Sequence, residues 1–167
     1  KDDSTIMIAM SGVGVVEIHE RTLESKRLNG GEWPSSGYTR VSFDYCRDFP
    51  KVMYAQLGGA DRFSLYGIYK TSNGGETWNR LPNPPSSVSY AQAWYCFKIS
   101  TAPADSNFIA SLCVDPIYSK NSGSSWLDMA DPHADYHEVS WINDNEFLIG
   151  NDAGVSRFNK NNMSRYE

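Results

Sequence analysis

The chain has 167 residues, enough for one domain with a sizeable core, and its formal net charge of −5 comes from 15 basic and 20 acidic side chains. The basic residues form no cluster suited to a phosphate backbone and no apolar run is long enough for a transmembrane helix, so neither nucleic acid nor a membrane span is expected. Aromatic residues make up 13% of the chain against 21% charged residues, which favours β-sheets over disorder.

A repeated unit runs along the chain. Residues 8–17 align with residues 148–157 at a constant offset, and each segment indicates a strand, a short turn and a Gly-Val step that opens the next strand. Two weaker copies lie between them. The anchors of the four copies are Gly14, Gly67, Pro116 and Gly154. Their spacing averages about 47 residues, which is typical of four-stranded propeller blades.

The repeat predicts an all-β fold, a β-propeller segment of about four blades with four antiparallel strands in each. We expect a partial blade at 1–34, complete blades at 35–84 and 85–130, and a partial blade at 131–167. The Pro-rich stretch 81–87 marks the clearest break between blades. Because closed propellers have 4–8 blades and both faces of a blade must be buried, the segment is expected to join the remaining blades of the same parent protein or another chain.

Two turns share one signature, Ser/Thr-x-Asn-x-Gly-x-Ser/Thr-Trp, and lie 48 residues apart. In such a turn the Asn side chain can bond backbone N–H groups ahead of it, and Gly supplies the left-handed conformation that the reversal needs. The Trp ring is expected to pack against the neighbouring blade. The residues are Thr71, Asn73, Gly75, Thr77 and Trp78 in the first turn and Ser119, Asn121, Gly123, Ser125 and Trp126 in the second.

Both turns resemble the Asp-box (BNR) repeat of sialidases, sortilin-type receptor ectodomains, xyloglucan-hydrolysing propellers and many secreted bacterial proteins. Asn stands where those repeats have Asp. The resemblance implies a structural turn on the rim, away from the ligand-binding face. A second resemblance, carried by residues 132–137 and 147–155, is to large secreted bacterial Asp-box propellers that are often named glycoside hydrolases, although Ala153 replaces one Gly of their turn.

The segment 132–137 contains the candidate metal ligands. His133, Asp135 and His137 alternate, so on a strand their side chains would share one face. Two imidazoles and a carboxylate suit Zn²⁺ or a similar ion, but they equally suit a hydrogen-bonded cluster in which Asp135 fixes a His tautomer. No other cofactor is expected. Asp152, in the turn of the second resemblance, is expected to face a ligand.

The sequence selects no catalytic pair. A glycosidase needs two carboxylates at one cleft, and nothing in the spacing singles out two of the candidates. These are Asp44, Asp61, Asp115, Asp135 and Asp152, and the candidate arginines Arg40, Arg47, Arg62 and Arg80 are scattered along the chain. The aromatic run 89–97 fits either a sugar-stacking platform or the core, and strand alternation favours the core. Cys96 and Cys113 are expected either to come close on neighbouring strands or to be buried as free thiols.

The sequence is compatible with three functions. The first is a non-catalytic recognition or scaffold segment of a larger secreted or cell-surface protein that binds a glycan or a protein. The second is part of a sialidase- or xyloglucanase-like glycoside hydrolase whose other active-site residues lie on missing blades. The third, an assembly factor of the photosynthetic type, is disfavoured because the arginines form no basic patch in the sequence. Fold alone does not decide among them.

Overall fold

The computed structural model describes residues 4–166, and every regular element in that range is a β-strand. The strands form four antiparallel sheets that follow one another along the chain, named here sheets I to IV. Sheet I contains β1 (Thr5–Met10), β2 (Gly14–His19) and β3 (Ser25–Arg27), and sheet II contains β4 (Tyr38–Cys46), β5 (Phe49–Gly59), β6 (Leu65–Thr71) and β7 (Asn79–Arg80). Sheet III contains β8 (Lys98–Ala102), β9 (Asp105–Leu112), β10 (Pro116–Ser119) and β11 (Leu127–Asp128), and sheet IV contains β12 (Tyr136–Trp141), β13 (Glu146–Asn151), β14 (Gly154–Asn159) and β15 (Arg165–Tyr166).

Each sheet is a meander, in which every strand pairs with the next strand of the chain. Successive sheets pack face to face around three apolar clusters, one between each pair of neighbours. The clusters include Leu28 and Trp78 between sheets I and II, Tyr54 and Ile109 between sheets II and III, and Phe108 and Phe147 between sheets III and IV. Four meanders stacked in this way are blades of a β-propeller, so the predicted fold class is confirmed.

The first strands of sheets II, III and IV lie at the inner edge of the stack, where they contact one another. The Ser42 hydroxyl on β4 accepts a hydrogen bond from the Ile99 N–H of β8 at 3.2 Å. On the other side of β8, Trp141 Nε1 of β12 donates to the Ser100 hydroxyl at 3.1 Å. Side chains on these strands therefore tie the blades together where no backbone ladder joins them.

The first and last sheets differ in their number of strands. Strands β2 and β14 begin at glycines 140 residues apart, as the repeat predicts, and sheet I has only three strands. Sheet IV has four strands, although the sequence predicted a partial blade for 131–167. Its fourth strand, β15, is two residues long, too short to produce an alternating hydrophobic pattern.

The two signature turns have the same hydrogen bonds. In the β6–β7 turn the Asn73 Oδ1 accepts from the Thr71 hydroxyl at 2.8 Å and from the Thr77 N–H at 3.0 Å. In the β10–β11 turn the Asn121 Oδ1 accepts from the Ser119 hydroxyl at 2.8 Å and from the Ser125 N–H at 2.9 Å. Gly75 and Gly123 have φ values of 93° and 79°, in the left-handed region. The tryptophans contact the connection that follows the preceding sheet, where Trp78 Nε1 donates to the Leu28 carbonyl and Trp126 Nε1 donates to the Pro82 carbonyl.

The antiparallel order gives the stack two distinct ends. One end, called here the box end, holds both signature turns together with the turns between the first and second strands of sheets II to IV. The opposite end, called here the loop face, holds the turns between strands β1–β2, β5–β6, β9–β10 and β13–β14 and the connections between sheets. The connections between sheets span 28–37, 81–97 and 129–135.

Candidate functional site

The loop face carries a pair of exposed aromatic rings. Trp94 and Tyr95 lie in the connection between β7 and β8, are 55% and 46% exposed, and have ring centroids 5.4 Å apart. Their segment consists of turns, in which the Tyr95 N–H donates to the Gln92 carbonyl. The expectation of core packing is therefore wrong for these two rings, whereas Phe97 and Tyr90 of the same run are buried.

An arginine from sheet II holds this segment in place. Arg40, on β4, donates from Nη1 to the Ala93 carbonyl at 3.2 Å and to the Tyr95 carbonyl at 2.9 Å. Its guanidinium also lies 5.8 Å from the Phe97 ring centroid. Because the two carbonyls flank Trp94, these bonds fix the backbone that presents the exposed indole.

A pocket of about 470 Å³ opens beside Trp94, between sheets I and II. Its lining includes Arg40, Arg62 and Trp94, together with hydroxyl groups, and it contains no carboxylate. Arg62 lies in the β5–β6 turn with φ 70°, and its guanidinium contacts no described polar group. The neighbouring Asp61 accepts a hydrogen bond from the Phe63 N–H at 2.9 Å. This bond helps to lower the pKa of Asp61, and its carboxylate is paired with the backbone of its own turn. The pocket is therefore positively charged in a protein of net charge −5.

The arginine positions differ from the sequence interpretation. Arg40 and Arg62 are far apart in the sequence, but they line one pocket. The start of β4, which carries Arg40, lies beside the β5–β6 turn, which carries Arg62. A second pocket of about 380 Å³ lies on the other side of the same turn, between Phe63 and Tyr90. The two pockets and the Trp94 ring give the loop face an extended polar and aromatic surface.

His137 and Asp152 continue this surface onto sheet IV. His137 Nε2 lies 2.8 Å from Asp152 Oδ1, and the imidazole stands edge-on to the Tyr95 ring with centroids 4.8 Å apart. Asp152 is exposed at the β13–β14 turn, on the loop face. Trp94, Tyr95, His137 and Asp152 thus form a continuous row across the ends of sheets III and IV.

The structure does not bring His133, Asp135 and His137 together. His133 and Asp135 precede β12, and Asp135 has φ 61°, so the strand alternation behind the shared face is absent. Asp135 instead accepts a hydrogen bond from Gln92 Nε2 at 3.0 Å. Within residues 4–166 no group of three or more His, Cys, Asp or Glu side chains is arranged to hold a metal ion. The metal site stays a prediction from the sequence.

The candidate carboxylates have separate partners. Asp44 accepts from the Thr101 N–H at 2.8 Å, and burial raises its pKa despite that bond. Asp115 accepts from the Ser89 N–H at 2.7 Å. A pocket of about 260 Å³ is lined by Asp115, Asp128 and Asp131 together with His133, but the Asp131 side chain has no exposed surface. Most of these groups therefore stabilise turns and inter-sheet contacts.

Similarity to known proteins is confined to the fold. No family profile matches the sequence, and no curated protein matches it. Among solved structures, a GH74 xyloglucanase from Xanthomonas campestris superposes with a TM-score of 0.68 at 11% identity, over 98% of this chain and 28% of that enzyme. An ancestral GH74 enzyme gives 0.57 at 15% identity, over 95% of this chain and 21% of the enzyme. YCF48 bound to D1 peptide gives 0.61 at 12% identity, over 96% of this chain and 50% of YCF48.

These likenesses agree with the four stacked meanders. The chain spans half or less of each of these proteins, and at such low identity the likeness concerns the fold and not the activity. The structure also has no helix, among the residues it describes, that is long and apolar enough to cross a membrane.

Proposed function

We propose that this chain is the non-catalytic recognition part of a larger secreted or cell-surface Asp-box propeller, and that it binds a glycan on the loop face. The observation that carries the proposal is the exposed Trp94–Tyr95 pair beside a pocket with two guanidinium groups. Exposed indole and phenol rings suit the apolar faces of pyranose rings, and guanidinium groups donate to sugar oxygens. The identical hydrogen bonds of the two signature turns support the Asp-box assignment.

The charge of the pocket favours an acidic sugar. Arg40 is already engaged with two carbonyls, whereas the Arg62 guanidinium is available to a ligand. A guanidinium pairs with a carboxylate through two parallel hydrogen bonds, which a neutral sugar cannot reproduce. We therefore expect an oligosaccharide that contains uronic acid to bind more tightly than a neutral one of the same length, with a difference that shrinks as salt is added.

Trp94→Ala is expected to weaken oligosaccharide binding at least tenfold, because about 1.4 kcal/mol of lost ring contact already gives that factor. Arg62→Ala is expected to weaken the acidic oligosaccharide tenfold and the neutral one much less. Isothermal titration calorimetry with both sugars measures these effects. Phe49→Ala is the matched control, since Phe49 is 52% exposed but lies at the box end, and it should leave both affinities unchanged.

Several outcomes would contradict the proposal. Unchanged binding by the Trp94→Ala protein would remove the aromatic pair from the site. An acidic peptide that binds with the same dependence on Arg62, while neither sugar binds, would assign the pocket to protein recognition. Release of reducing ends during the same titrations would instead favour the hydrolase, for which the pocket with Asp115 and Asp128 offers candidate carboxylates.

The remaining blades are the expected partners of sheet I. Ile6, Ile8 and Met10 alternate along β1 and expose an apolar face, with Ile6 52% exposed. Both faces of an interior blade are buried in a closed propeller, so we propose that another blade of the same protein covers these side chains. Met10 should then be oxidised by peroxide in this chain and protected in the larger protein. Equal oxidation in both would contradict the proposal.

A further inference from the structure

Two thiols meet behind the aromatic segment of the loop face. Cys96 Sγ and Cys113 Sγ are 3.4 Å apart, and both residues are fully buried in the cluster between sheets II and III. Cys96 follows Trp94 and Tyr95 directly, and Cys113 follows β9. We propose that Cys96 and Cys113 are a covalent modification site that forms a disulfide when the protein folds in an oxidising compartment. This inference does not depend on glycan binding.

The geometry requires little movement. A disulfide has sulfur atoms about 2.05 Å apart, so the two sulfurs need to approach by roughly 1.4 Å. The other polar neighbours of Cys96 Sγ are weak contacts, the Gln92 carbonyl at 3.6 Å and Asp135 Oδ1 at 3.9 Å. Neither contact holds the sulfur away from its partner.

The third cysteine behaves differently. Cys46 Sγ contacts the Ala102 and Pro103 carbonyl oxygens at 3.2 Å each, and no thiol contact of Cys46 occurs within residues 4–166. It is expected to stay a free thiol, and it therefore serves as an internal control for nonspecific oxidation.

The bond must form before folding is complete. Burial raises the pKa of both thiols, which keeps them protonated, and the folded chain screens them from solvent. During folding, a thiolate of one cysteine attacks the disulfide of an oxidant such as oxidised glutathione and gives a mixed disulfide. The second cysteine then displaces the oxidant thiol. Two electrons and the two thiol protons pass to the oxidant, which leaves as two thiols.

The cross-link would tie the segment that presents Trp94 to the β9–β10 turn. It joins residues 17 positions apart and so restricts the unfolded chain. For a loop of that size in a chain of this length, we expect reduction to lower the melting temperature by about 8 °C.

The test is to refold the denatured, reduced chain in a mixture of oxidised and reduced glutathione. We expect the mass to fall by about 2 Da, a Cys96–Cys113 linked peptide after digestion, and one free thiol of the three cysteines. Cys46→Ser should keep the linked peptide. In the Cys113→Ser protein the melting temperature should be the same with and without a reductant. Loss of packing in that variant would lower both melting temperatures equally, so it cannot produce this result.

Two results would overturn the proposal. The first is a folded wild-type protein with three free thiols after refolding under these oxidising conditions. The second is a wild-type melting temperature that is the same with and without a thiol reductant.

Discussion

Trp78→Ala is expected to lower the free energy of unfolding by about 4 kcal/mol, the largest loss from any single signature-turn residue. Trp78 has no exposed surface, and its ring packs against Trp33 with centroids 5.1 Å apart. Its Nε1 donates to the Leu28 carbonyl at 2.6 Å, so the substitution leaves a cavity between sheets I and II and a buried carbonyl without its donor.

Urea denaturation followed by circular dichroism measures this loss, with the slope of the transition checked for two-state behaviour. Trp94→Ala provides the matched control, because the same side chain is removed from an exposed position, and its stability should change by less than about 0.5 kcal/mol. A loss below about 1 kcal/mol for Trp78→Ala would mean that the turn tryptophan does not link the blades.

The signature turns were predictable because their interactions are local. Asn73 bonds Thr71 and Thr77, within four positions along the chain, so the pattern contains nearly all of its own hydrogen-bond partners. The repeated spacing then predicts stacked blades, since only a few architectures repeat four strands in about 47 residues. Fold class therefore followed from short motifs and their period.

The candidate site depends on contacts between distant residues, which the sequence does not reveal. Arg40 meets the Tyr95 carbonyl across 55 positions, and Gln92 meets Asp135 across 43. Strand alternation in the run 89–97 predicts that Trp94 and Tyr95 lie on opposite faces, but the turns of this run expose both rings together. The left-handed backbone at Asp135 likewise breaks the alternation assumed for the histidines. The high density of aromatic residues in this run indicates a candidate ligand surface, but the sequence does not show which rings are exposed.

The junction between sheets I and II also depends on a close backbone approach. The Gly30 carbonyl accepts from the Trp78 N–H at 3.0 Å, and the Glu32 N–H donates to the Trp78 carbonyl at 2.8 Å. These bonds form a short parallel bridge between the end of one blade and the signature turn of the next. A Cβ atom at Gly30 would overlap the Glu76 carbonyl oxygen, a backbone atom that cannot rotate away.

Gly30→Ala is therefore expected to lower the free energy of unfolding by about 3 kcal/mol, because the bridge must separate to admit one methyl group. Gly150→Ala is the matched control. Gly150 lies within β13, its φ is not positive, and its Cβ would meet nothing within 4 Å, so alanine there should be neutral or slightly stabilising. Chemical denaturation of the two proteins side by side measures the difference. Equal stabilities would show that the backbones of Gly30 and Glu76 can move apart at no cost, which would contradict a close backbone contact that holds sheets I and II together.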